Sequence, residues 1–280
     1  LTKAVTLGIT AARTSKLLGP AISGIVIASL GVSAPFLLNA ATFLALMAAV
    51  LAMRDLSIGR GARSSFRLEL AEGLRHILAA PVLNGLFKME IVYGFFDMNP
   101  VMIAIIGREV LGVGPQALGF LLAAPALGSF IGIAWLLFVQ QSTRQGRLSL
   151  SCTVVYALAL AVFALSPNYT LSLIVLSFVG ALDVLVTVTR NSIMQLAAPE
   201  GMRGRVMANL GTVTRGVGPL AETQSGIMAD LIGPQPAIIA ASAVLAVAAG
   251  AMAWTNRALW LFSFDDVAQK HVESGPTHRK

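Results

Sequence analysis

Apolar residues run along the chain in about eight stretches long enough to cross a bilayer as helices, at 7–29, 34–53, 82–106, 116–139, 148–166, 170–196, 206–231 and 236–255. A hydrocarbon core about 30 Å thick needs roughly 20 mostly apolar residues of helix. The pattern predicts an all-α, polytopic membrane protein, a bundle of about eight transmembrane helices. The polar connections between the stretches form two sets. One holds Arg54, Arg60, Arg63, Arg67, Arg75, Arg144, Arg147, Arg203, Arg205 and Arg257, with Lys270, Arg279 and Lys280 in the tail. The other, near 30–33, 107–115, 167–169 and 232–235, holds only Arg108, beside Glu109. Lys and Arg concentrate in cytoplasmic loops. The first set is therefore expected inside the cell, with both ends of the chain.

Composition narrows the class. Hydrophobic residues make up 56% and charged residues 12% of the chain, with a mean hydropathy of +0.79. Soluble domains carry roughly twice that charge. A net charge of +7 and a pI near 10.2 would fit nucleic-acid binding. The charge instead sits in short loops at the ends of the stretches, where orientation in the bilayer and anionic headgroups account for it. Nucleic acid is not an expected partner; the lipid bilayer is. Cys152 stands alone, which excludes an internal disulfide and any Cys-based metal site. The first stretch carries Arg13 and Lys16, unlike a signal-peptide core. The chain starts at Leu1 rather than Met, a start that either truncation or processing would produce.

Two regions repeat. Lys16-Leu17-Leu18-Gly19-Pro20, Gly24 and Leu30-Gly31 find counterparts in Arg215-Gly216-Val217-Gly218-Pro219, Gly226 and Ile232-Gly233. If the repeat is a structural one, stretches one and two correspond to seven and eight, an offset of six helices. Four helices, on the order of 130 residues at about the spacing seen here, would then be missing upstream.

Three further segments have a family character: Glu72-Gly73-Leu74-Arg75 with Pro81; the run Gly119-Phe120-Leu121-Leu122-Ala123-Ala124-Pro125-Ala126-Leu127-Gly128; and Pro199-Glu200-Gly201-Met202-Arg203-Gly204-Arg205-Val206. With these the chain, to about residue 256, resembles the last two-thirds of a major facilitator superfamily exporter, of the group that includes enterobactin exporters and macrolide efflux proteins. The resemblance implies two six-helix halves around a midplane cavity. Residues 1–56 would be the last two helices of the N-terminal half, 57–81 a cytoplasmic linker with an amphipathic helix, 82–256 the complete C-terminal half, and 257–280 a cytoplasmic tail. The family's Asp-Arg-x-Gly-Arg-Arg loop belongs to helices this chain lacks. Its echo is Thr143-Arg144-Gln145-Gly146-Arg147, with Thr in place of the acid. Arg144, Gly146, Arg147, Arg203, Gly204 and Arg205 are the candidate conformational-loop residues.

Ionisable residues inside a span cost a few kcal/mol each and face protein or water. The third stretch carries Lys88, Glu90, Asp97 and Asn99; Glu90 and Asp97, seven apart, fall on nearly one helical face. Asp183, Thr187, Arg190 and Asn191 recur at i, i+4, i+7 and i+8 as one polar ridge. The seventh stretch holds Arg215, Glu222 and Asp230. Glu90, Asp97, Asp183, Arg190 and Glu222 are the candidates for substrate or proton contact. Each also has a structural reading: Glu90 in an ion pair with a neighbour, Asp183 paired with a basic group on another helix, Arg190 snorkelling to headgroups. Gly128 and Gly132 are expected to serve helix packing. Phe66, Leu70, Leu74 and Ile77 give residues 66–80 one apolar face, as in an interfacial helix.

No Gly-x-x-x-x-Gly-Lys-Ser/Thr loop occurs, and His76, His271 and His278 lack metal-ligand spacing. No metal, cofactor or enzymatic activity is expected. By resemblance, the expected function is efflux of a small amphipathic molecule such as a siderophore or drug, in exchange for protons carried by Glu90, Asp97, Asp183 and Glu222, across a bacterial inner membrane. The alternative is a membrane-resident remnant without transport activity. The orientation has a direct check. In protein lacking Cys152, Gly114→Cys and Pro234→Cys should react with a membrane-impermeant maleimide in intact cells, and Arg147→Cys only after permeabilisation; the reverse pattern would invert the topology.

Overall fold

Proline and glycine set where the helices start and turn. Pro81, Pro100 and Pro234 each occupy the first turn of a helix, where the missing N–H has no intrahelical partner to lose. Gly31, Gly112 and Gly233 take φ of 83°, 61° and 88° at turns, a conformation that a Cβ disfavours. Asn168 caps the helix after it by accepting from the backbone N–H of Thr170 and Leu171, at 2.9 and 3.2 Å.

The structure, a computed structural model, describes residues 19, 22–23, 25–27, 29–31, 33–52, 66–139 and 144–263. Arg13 and Lys16 with most of the first predicted stretch, the 53–65 and 140–143 connections, and the tail beyond 263 lie outside the described residues. Among the described residues, helical positions between 19 and 30 precede α1 Ser33–Ala52, α2 Phe66–Ala79, α3 Pro81–Phe96, α4 Pro100–Ile105, α5 Pro115–Val139, α6 Gln145–Leu165, α7 Tyr169–Ala197, α8 Arg203–Ile232, α9 Pro234–Thr255 and α10 Arg257–Trp260. A π-helical turn, Ile106–Val110, extends α4, and a 3₁₀ turn, Glu200–Met202, leads into α8.

Among the described residues, six helical stretches are long and apolar enough to cross a membrane: 33–51, 81–110, 115–136, 145–165, 169–197 and 234–255. α8, the seventh predicted stretch, has the length at 30 residues but is too polar to qualify by composition. The fold is that of an all-α polytopic membrane protein.

Two apolar cores hold the helices together. One gathers Ile106, Leu121, Phe163, Leu176, Val186 and Leu245 from α5, α6, α7, α9 and the π turn. The other gathers Ile77, Leu83, Ile193, Met194, Val206 and Leu259 toward the arginine-rich end. α5 and α7 approach most closely, with backbone against backbone. A Cβ on Gly128 would run into the Ser177 carbonyl, one on Gly132 into that of Ala181, and one on Gly180 into that of Pro125. These glycines serve packing within the bundle, as expected of small residues where lipid supplies no hydrophobic drive. α1 buries none of its described side chains; Phe36 and Leu51 are 71% and 80% exposed.

At the arginine-rich end two short helices fold back onto the bundle. α2 lies across the start of α8, where a Cβ on Gly73 would strike the Asn209 side chain, and Glu72 pairs with Arg205. The interfacial helix expected at 66–80 is thus docked on protein: Ile77 is fully buried, whereas Leu74 stays 37% exposed. α10 falls in a segment expected to be tail. Asn256 caps it through Leu259 N at 3.0 Å and donates to the Pro81 carbonyl at 2.7 Å. Replacing Gly128 or Gly180 by Leu should force α5 off α7 and lower stability by about 2–3 kcal/mol. Gly216, with open space around it, should accept Ala with little loss. Thermal exposure of Cys152 to a thiol-reactive dye in detergent would measure both.

Candidate functional site

The site begins with a broken helix. Proline disfavours the α conformation in the residue before it, so Asn99-Pro100 cannot continue α3. α3 ends at Phe96, and Asp97 turns extended with ψ 155°. Asn99 then starts α4 by accepting from Met102 N at 3.0 Å. The single span predicted over 82–106 is therefore two half-helices. Glu90 stays on the continuous part, while Asp97 sits at the break with its own set of partners.

Glu90 and Arg190, 8% and 3% exposed, form an ion pair of 2.6 Å between α3 and α7. Thr214 of α8 donates to the other carboxylate oxygen of Glu90 at 3.1 Å. The Arg190 guanidinium lies 4.6 Å from the centroid of the Tyr93 ring, a cation–π contact in a dry setting. The Tyr93 hydroxyl donates to Asp183 Oδ1 at 2.9 Å, and Thr187 donates to the same oxygen at 3.3 Å. Tyr93 also packs on Tyr156, ring centroids 5.2 Å apart and planes inclined by 43°. The Tyr156 hydroxyl donates to Asp97, whose Oδ1 also accepts from Met98 N at 2.7 Å. Asn99 Nδ2 reaches Ser225 Oγ of α8 at 2.8 Å. One polar chain thus joins α3, α6, α7 and α8 across the bundle.

Among the five candidate contact residues, Glu90, Asp97, Asp183 and Arg190 come together. Glu222 does not: it stands on the exposed side of α8, as do Arg215 and Asp230. Arg190 does not snorkel. Its head group is buried on Glu90 and Tyr93, and its Nε and Nη1 have no hydrogen-bond partner among the described residues. Asp183 is held by a phenol and a threonine rather than by a basic group. The loop candidates lie apart from this chain. Arg144 precedes α6 and is exposed, and a Cβ on Gly146 would meet the Leu259 carbonyl of α10. Arg147 sits 5.4 Å from the centroid of the Trp260 ring. Arg203 Nε reaches the Ala198 carbonyl at 3.4 Å, Gly204 faces open space and Arg205 pairs with Glu72.

Tyr93, Tyr156 and Ser225 escaped the sequence reading. Two of the three tyrosines lie inside apolar stretches, and a buried phenol needs a hydrogen-bond partner; that was the available signal. Among the described residues no group of three His, Cys, Asp or Glu side chains could hold a metal ion.

An all-α membrane bundle, with a broken helix and buried charge running across it, is the architecture of a membrane transport protein. Comparison with known families makes this specific: the transmembrane secretion effector family of the major facilitator superfamily matches residues 1–276, and the chain belongs to it. The multidrug efflux pump Tap of Mycolicibacterium fortuitum is 26% identical over 230 residues, 81% of this chain and 56% of that protein. The enterobactin exporter EntS of Shigella flexneri is 30% identical over 199 residues, 69% of this chain and 46% of that protein. EntS of Salmonella choleraesuis is 28% identical over 197 residues, 69% and 47% of the two chains. The chain spans about half the length of these relatives. No solved structure matches it significantly.

Removing one partner of a buried ion pair leaves an uncompensated charge. Arg190→Leu should therefore destabilise the protein by about 3–5 kcal/mol, and adding Glu90→Gln should restore most of that loss. Unfolding of purified protein in mixed micelles is the measurement. Equal stability of the single and double variants would disprove the pairing.

Proposed function

We propose that this chain is the proton-handling part of a secondary exporter that moves small amphipathic molecules out across a bacterial inner membrane. The observation that carries the proposal is the chain from the buried Glu90–Arg190 pair through Tyr93 to the half-buried Asp183, and through Tyr156 to the half-buried Asp97. Charges buried at such cost in a membrane bundle are retained for work on ions or substrate. The named activities of the relatives, multidrug efflux and enterobactin export, supply the direction of transport and the amphipathic substrate class.

The chemistry follows from donors and acceptors. An ionised carboxylate only accepts hydrogen bonds; a protonated one must also place a donor. While Asp183 and Asp97 are ionised, both phenols point at them and draw α3, α6 and α7 together. A proton on either carboxyl turns an acceptor into a donor, so that phenol loses its anionic partner and the ring under Arg190 is freed to shift. The Glu90–Arg190 pair then transmits the change along α3 and α7. In this reading Asp97 and Asp183 carry the protons, Glu90 and Arg190 form the pivot, and Glu222 has no part in the chain.

Residues 82–256 form the moving half, with the stretches before them belonging to the opposite half; α1, which buries none of its described side chains, supports that division. The helices that complete the opposite half cover α1 and the polar face of α8 in the intact transporter. The Arg144–Arg147 and Arg203–Arg205 loops, fastened to α10 and α2, lie on the cytoplasmic side.

The test uses everted membrane vesicles from cells expressing the intact gene, with ethidium and enterobactin as separate probes. Asp97→Asn and Asp183→Asn should each reduce pH-gradient-driven transport at least roughly a hundredfold while membrane abundance is unchanged. Glu222→Gln should transport like the parent. Full transport by both Asn variants would remove these carboxyls from the mechanism.

A further inference from the structure

The break between α3 and α4 borders a small cavity lined by Asp97, Asn99, Gln224, Ser225, Met228 and Ala241, among others. Its volume is about 20 Å³. Drug-sized ligands occupy clefts of roughly 300–1,000 Å³, so this is no substrate site. One water needs at least about 10–15 Å³ and two or more polar partners. The cavity meets both conditions.

Its polar wall is specific. Asp97 Oδ1 takes the bonds from Met98 N and the Tyr156 hydroxyl, and Oδ2 has no hydrogen-bond partner among the described residues. Ser225 Oγ accepts from Asn99 Nδ2 at 2.8 Å, which leaves its own proton without an acceptor among those residues. The cavity therefore offers one free carboxylate oxygen and one free hydroxyl proton, and both groups line it. Asn99 does double duty. Its Oδ1 caps α4 and its Nδ2 orients Ser225, so the residue that breaks the helix also fixes the hydroxyl.

We propose that this cavity is a one-water port through which protons reach Asp97, with Ser225 and Asn99 as positioning residues. The inference rests on Asp97 being a proton carrier, as argued above. A hydronium proton passes to Asp97 Oδ2: one hydronium O–H bond breaks, the carboxyl O–H bond forms, and neutral water remains, held by the Ser225 hydroxyl. On release the water accepts the proton back and passes it outward. The other charged or titratable groups around Asp97 are Glu90 and Tyr93 of α3, Tyr156 of α6, and Asp183 and Arg190 of α7. α8 and α9 contribute no charged side chain to the wall. The port thus meets the charge network at one point only, the Asp97 carboxyl.

The experiment is a pH jump on the intact, reconstituted transporter, followed by time-resolved infrared absorption of the protonated carboxyl. The Asp97 band is identified by its loss in Asp97→Asn. Ser225→Ala removes the hydroxyl; Ala241→Ile fills the cavity from α9 and leaves every polar group in place. Each should slow the rise of the Asp97 band by roughly tenfold without moving the pH midpoint of its equilibrium titration. Ser225→Thr, which keeps a hydroxyl, should restore the parental rate. Parental rates in both Ser225→Ala and Ala241→Ile would overturn the port and leave Asp97 as a carrier fed by another route. A titrating carboxyl band that persists unchanged in Asp97→Asn would overturn the carrier reading itself, and the port with it.

Discussion

The ion pair between Glu90 and Arg190 is the constraint on which the rest of the site depends. Two unit charges cannot remain in a low-dielectric interior unless each has a partner, since the desolvation of either alone outweighs any packing gain. Pairing at 2.6 Å satisfies the charges but commits α3 and α7 to one relative position. Thr214 adds α8 to the arrangement, and the Tyr93 face under the guanidinium spreads the positive charge over a polarisable surface. Once Tyr93 is held there its hydroxyl has one direction in which to point, and Asp183 lies in it. A pairwise contact becomes a chain because each side chain has two ends and both are used.

Small residues allow this chain to exist. The backbone contacts at Gly128, Gly132 and Gly180 bring α5 hard against α7, so the face of α7 bearing Asp183 and Arg190 turns toward α3 and α6. At the arginine-rich end α2 and α10 grip the starts of α8 and α6, which carry Arg203, Arg205, Arg144 and Arg147. Gly73 against Arg205 and Asn209, and Gly146 against Leu259, fix short helices to the starts of α8 and α6. Arg147, Arg203 and Arg205 are thus fastened by protein contacts. Any motion of α6 or α8 would carry α10 or α2 with it.

Much of this architecture was legible in the sequence. Length and apolarity alone predict the spans from 34 onward apart from α8, because a lipid solvent makes continuous apolar helix nearly the only option. The turns at Gly31 and Gly233 were legible from Gly and Pro, and the family from the Pro199–Val206 segment. The site was legible only as a set of residues that do not belong in lipid. Which of them meet depends on helix rotation and depth, and one-dimensional periodicity does not record either. Arg190 shows the difficulty, since its position in the sequence fits a snorkelling side chain and only the placement of Glu90 on α3 draws it inward. The break at Asp97–Asn99 left a clear signal in Asn99-Pro100, but apolar residues on both sides disguised it as one span. The position of Glu222 outside the network was hidden for the opposite reason: α8 is polar along one side, and nothing in its spacing tells which side faces the bundle.

The most direct test is a charge exchange between Glu90 and Arg190. Glu90→Arg and Arg190→Glu would each place like charges together in the bundle, whereas the two substitutions combined restore opposite charges at the same two positions. The account predicts that each single variant unfolds at a markedly lower temperature than the parent and that the double variant regains most of the loss. A double variant no more stable than the worse single one, or single variants as stable as the parent, would contradict it.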